Sequence, residues 1–136
     1  NLAFSAEASQ EIRVLTNAVE EIINITSKAY ETKDLHMATQ VEPLEQVIDK
    51  MLSEIKKRHI NRLTGGDCTI ELGFILSDIL TNYERISDHC SNLAVSLIRA
   101  EVDKMDAHAY LSSLKAGEDR EFVELYNQYK KKYNLD

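Results

Sequence analysis

The sequence predicts an all-α fold: an up-down-up bundle of three long antiparallel helices followed by a shorter C-terminal helical extension. Three observations lead there. Apolar residues recur at helical spacing along most of the 136 residues. Turn chemistry is sparse, with 4 Gly and 1 Pro, too little for a many-stranded sheet. Hydrophobic residues make up 43% of the chain, enough to bury one core, and the length leaves no room for a second ordinary domain.

The first helix is expected over 6–31, where Ile12, Leu15, Val19, Ile22 and Ala29 share one face. The period lapses at Glu31-Thr32-Lys33-Asp34, and Asp34 suits the N-cap of a second helix over 35–64. Leu44, Ile48, Met51 and Ile55 form its stripe, and Lys56-Lys57-Arg58 lies toward its C-terminal end, where the helix dipole favours positive charge. Pro43 lacks a backbone donor, so this helix should kink near Thr39–Val41 or restart there with Pro in its first turn. Gly65-Gly66-Asp67 marks the next break, with glycine free to take a left-handed cap and Asp67 able to cap the third helix.

That third helix, 69–101, carries Leu72, Leu76, Ile79, Tyr83, Ile86, Cys90, Leu93 and Leu97 in alternating steps of four and three. A weaker pair comes next over 107–116 and 119–133, broken at Gly117. Short connections make the long helices antiparallel neighbours, so 6–101 forms the core bundle and 107–133 the extension of one domain. In that extension Leu125 and Tyr129 are expected against the bundle, with Lys130-Lys131-Lys132 at the helix C-terminus.

Charge and spacing exclude several classes. With 16 Lys+Arg against 23 Asp+Glu the net charge is −7, which disfavours nucleic acid and anionic membrane surfaces as partners. The longest uncharged run is His89–Ile98, about half a bilayer span. Cys68 and Cys90 are far apart with no CxxC pair, as expected of two reduced thiols. The chain opens at Asn1 without a Met and is expected to be a fragment of something longer.

No Gly-rich phosphate loop, HExxH or Glu-x-x-His pattern occurs, and His36, His59, His89 and His108 are scattered, so no catalysis is expected. Two short patterns do match each other. Glu45-Gln46-Val47-Ile48-Asp49 and Glu84-Arg85-Ile86-Ser87-Asp88 each place two carboxylates one helical turn apart on one face. Glu54 has Lys57 and Arg58 within a turn, whereas Glu42, Glu45, Asp49 and Glu84 have no Lys or Arg at three or four residues' distance; Asp88 follows Arg85 by three. Brought together from neighbouring helices, these carboxylates form either a solvated acidic face or an oxygen-ligand set for a hard cation.

The segment Asn82-Tyr83-Glu84-Arg85-Ile86-Ser87-Asp88-His89-Cys90-Ser91-Asn92-Leu93-Ala94 resembles the signature helix of PhoU-family proteins. That resemblance implies a bundle of three helices with acidic motifs that bind metal, and hence Glu45, Asp49, Glu84 and Asp88 as ligands for iron, zinc or manganese, with Asn92 one turn further along. The stretches Glu42-Pro43-Leu44-Glu45, Lys57-Arg58-His59-Ile60 and Cys68-Thr69-Ile70-Glu71-Leu72-Gly73-Phe74 are similar to PhoU-like domains at the C-terminus of bacterial sodium/phosphate cotransporter family proteins. The resemblance therefore implies a non-enzymatic regulatory domain at the cytoplasmic face of the cell membrane. Its partners would be the transmembrane part of a sodium/phosphate symporter, phosphate-signalling proteins, or a second copy in a homodimer. A stand-alone PhoU-type regulator acting by protein–protein contact is the other reading.

Overall fold

The computed structural model describes residues 4–66, 68–103 and 118–136. Five helices are seen there: α1 (Ala6–Thr32), α2 (Leu35–Thr39), α3 (Val41–Thr64), α4 (Ile70–Val102) and α5 (Glu118–Lys132). The expected helix over 107–116, the break at Gly117 and the cap at Asp67 lie outside the described residues. None of the described helices is long and apolar enough to cross a membrane.

Caps explain the boundaries. Ser5 accepts from the Ala8 amide to start α1, and Asp34 accepts from Met37 to start α2, as its sequence position predicts. Lys33 ends α1 in the left-handed region at φ 53°, a conformation glycine adopts at lower cost. At the next break Gly66, at φ 80°, supplies the left-handed residue. Thr69 caps α4 by accepting from the Leu72 amide, the role the sequence suggested for Asp67. The helix containing Pro43 does restart: it breaks at Gln40 and resumes at Val41, which puts Pro43 in the first turn, where its missing N–H costs nothing.

Contacts between helices give their directions. Arg58 and Arg62 of α3 meet Glu11 of α1, so these two run antiparallel. Ser91 of α4 meets Glu42, and Gly73 meets His59, so α4 runs antiparallel to α3. Thr16 of α1 shares a hydrogen bond of 2.9 Å with Tyr83 of α4. The helix α5 runs parallel to α3, from His36–Glu121 at one end to Arg58–Asp136 at the other. A Cβ on Gly73 would stand 2.9 Å from His59 Nε2, so this glycine lets α3 and α4 approach closely.

The core is Leu15, Val19 and Ile22 from α1, Leu44, Ile48 and Ile55 from α3, and Leu76, Leu80 and Leu97 from α4. One predicted stripe needs correction. Leu93 is 46% exposed, while Leu80, Ser87 and Ala94 are buried alongside Cys90. Over 33 residues the straight α-helix drifts away from a strict seven-residue repeat, so the inward face rotates and Leu93 falls on its flank. Tyr129 and Tyr133 bury the inner face of α5 as expected of a packed terminal helix; Tyr133 donates its hydroxyl to Glu21, and Lys132 pairs with the same carboxylate at 2.7 Å. Burial and Glu21 push the Tyr129 phenol up to about 12. Both cysteines are free, with Cys90 buried.

Candidate metal centre

The α3/α4 seam assembles three carboxylates. Glu45 and Asp49 stand one turn apart on α3, and the Ser91–Glu42 contact at 2.6 Å sets the antiparallel register of α4. Asp88 lies one turn before Ser91, and Glu45 one turn after Glu42, so Asp88 and Glu45 fall level with each other. One oxygen from each of Glu45, Asp49 and Asp88 lies within 4.8 Å of the others. Glu84, one turn before Asp88, is exposed and does not join this cluster. The same register brings Glu84 level with Asp49, so its height along α4 is not what keeps it out of the cluster. Asn92, one turn beyond Asp88 on the other side, is also exposed.

The electrostatics of the cluster are unfavourable as they stand. Glu45 is only 8% exposed. Burial, a hydrogen bond shared with Asp49, and the charges of Asp49, Glu42 and Asp88 push its carboxyl up to about 8. Among the described residues no Lys or Arg forms an ion pair with Glu45, Asp49 or Asp88, and Arg85, one turn from Asp88 in sequence, does not pair with it. Glu42 spends one oxygen on the Ser91 hydroxyl and still adds negative field.

This donor set fits a divalent cation. Carboxylate oxygens on opposite sides of an ion at about 2.1–2.5 Å stand roughly 4–5 Å apart, and the three oxygens here lie within 4.8 Å of one another, close enough to share one ion. An ion there would supply positive charge and a bridge between α3 and α4, with Glu45 losing its proton on binding. His89 does not join the set: it is exposed, and as the neighbour of Asp88 it projects about 100° away around α4. Spacing alone paired Glu84 with Asp88; what it missed was Glu42 and Ser91. Glu42 could have been found as the i−3 neighbour of Glu45, which shares its helical face.

The fold and the seam define an all-α bundle with an oxygen-donor cluster between two of its helices. This chain belongs to the PhoU family: the PhoU domain matches residues 12–97, from the first turns of α1 almost to the end of α4. It is 24% identical over 113 residues to the phosphate-specific transport system accessory protein PhoU homolog 1 of Thermotoga maritima. That match covers 83% of this chain and 48% of the relative, so the chain spans about half the length of the curated relative it matches. No solved structure gives a significant match.

Proposed function

We propose that this domain regulates phosphate transport by contact with other proteins rather than by catalysis, and that a divalent cation or iron held by the α3/α4 carboxylates stiffens the surface it presents. Membership of the PhoU family across the whole three-helix bundle carries this reading. The name of the Thermotoga relative, an accessory protein of phosphate-specific transport, supports it. Glu45, Asp49 and Asp88 are the ligands that converge, and Glu84 could join only by a change of side-chain direction. Iron, zinc and manganese all accept carboxylate oxygen.

On the similarity of its α3 and α4 segments we further infer that the domain sits at the cytoplasmic face of the membrane as part of a sodium/phosphate cotransporter, with the transmembrane part as its partner. A stand-alone regulator is the second reading, favoured by the relative being an accessory protein. Phosphate uptake tests the regulatory role. Cells lacking the gene are complemented with the parent or with Asp49→Asn/Asp88→Asn, and radiolabelled uptake is followed at low and high external phosphate. The parent should restore phosphate-dependent control and the variant should not; uptake indifferent to the gene would overturn the role. Carbonate washing of membranes separates the two settings, since only a cotransporter domain stays with the pellet.

A further inference from the structure

We propose that the cleft between α3 and α5 binds a small organic phosphate. The inference rests on the chemistry of the cleft alone and is independent of the phosphate-transport reading. The space is about 650 Å³, within the range of small-molecule sites. Its walls divide into two parts. Val47, Met51 and Tyr133, all buried, give it an apolar floor. Lys50, Lys130 and Lys131, all exposed, line it too, and none of them forms an ion pair with a carboxylate among the described residues.

The other charges on the wall satisfy one another. Arg58 holds Glu54 at 3.1 Å and Asp136 at 2.6 Å, so the two lining acids are turned toward it rather than toward the lysines, and the four cations of the lining outnumber its two acids. The cleft therefore presents three ammonium groups in a chain whose net charge is −7. Tyr126 adds a further mark. Its ring lies 5.0 Å from Lys50 Nζ, and its hydroxyl is buried with no hydrogen-bond partner among the described residues. A buried donor without an acceptor is uncommon and is satisfied when an acceptor arrives.

Three ammoniums suit a doubly charged group with several terminal oxygens better than a carboxylate, which offers one charge. The partly exposed Tyr126 and Leu135 on the same wall suit a carbon body, which inorganic phosphate alone would leave uncovered. A phosphate monoester with an aromatic or aliphatic group satisfies both halves at once.

Phenyl phosphate is the probe, with phenol lacking the charge and inorganic phosphate lacking the body. Amide shifts of the domain are followed by NMR as each is added. Phenyl phosphate should give saturating shifts at Val47, Lys50, Lys130 and Lys131, with each control at least about tenfold weaker. Lys130→Gln/Lys131→Gln should weaken phenyl phosphate by about tenfold, and Tyr126→Phe by about threefold without lowering the unfolding temperature. No saturable shift with phenyl phosphate overturns the proposal. So does inorganic phosphate binding as tightly, or an affinity unchanged in the double lysine variant.

Discussion

Two glutamates buried in the same bundle have opposite surroundings. Glu11 of α1 is 3% exposed and lies between two guanidinium groups: Arg62 reaches both its oxygens at 2.8 Å and Arg58 reaches one at 2.9 Å. Glu45 of α3 is 8% exposed, and among the described residues the charges that act on it, Asp49, Glu42 and Asp88, are all acidic. Burial of a charge is tolerated when a partner and hydrogen bonds come with it, as at Glu11. At Glu45 the same burial drives the carboxyl toward its neutral form. Glu11 is thus part of the framework that joins α1 to α3, and Glu45 is the centre of the proposed cation site.

The largest effect should come from breaking the satisfied side of this contrast. Glu11→Gln leaves Arg58 and the well-covered Arg62 without their shared anion, and Arg62 already has one buried nitrogen unpartnered among the described residues. A loss of about 3 kcal/mol is expected, lowering the unfolding temperature by roughly 10 °C in a thermal melt. Glu45→Gln should do the reverse. Without metal at pH 8 it removes a carboxylate that is expensive to ionise, and chemical denaturation should show a gain of about 1–2 kcal/mol.

Titration sharpens the same point. The folded carboxyl of Glu45 is raised from 4.5 to about 8, so the native state holds a proton that the unfolded chain releases. Below pH 4.5 both states are protonated; between there and pH 8 stability falls as pH rises. The metal-free domain should lose stability steadily across that window in chemical denaturation at stepped pH, and Glu45→Gln should flatten the slope. The smallest effect lies outside both glutamates. Lys33→Gly relieves a left-handed cap at φ 53° and should raise stability by about 0.5–1 kcal/mol, seen as a shift of a few degrees in the melt.

Much of this architecture could be read from periodicity because helix caps and apolar stripes are local signals. The C-terminal ends of α1, α3 and α4 fall within a residue of their expected places, and the Asp34 cap is where its chemistry suggested. Register between helices was not legible. It depends on contacts such as Ser91 with Glu42 and the close approach at Gly73, which pair residues remote in sequence. That is why the i, i+4 pattern could place Glu45 with Asp49, and Glu84 with Asp88, yet could not say which members of the two pairs would meet. The Arg85–Asp88 spacing would allow an ion pair, and none between them is found among the described residues. The paired state of Glu11 was hidden for the same reason, since Arg58 and Arg62 lie far along the chain.

Elemental analysis of the domain, prepared without chelators or a His-tag, tests the reading of the Glu45 cluster most directly. Plasma mass spectrometry should find iron, zinc or manganese at a fixed stoichiometry in the parent and in Glu84→Gln, and should find none in Asp49→Asn/Asp88→Asn. Metal at background in the parent, with the double variant more stable to heat, would contradict it: the carboxylates of α3 and α4 would then only repel one another.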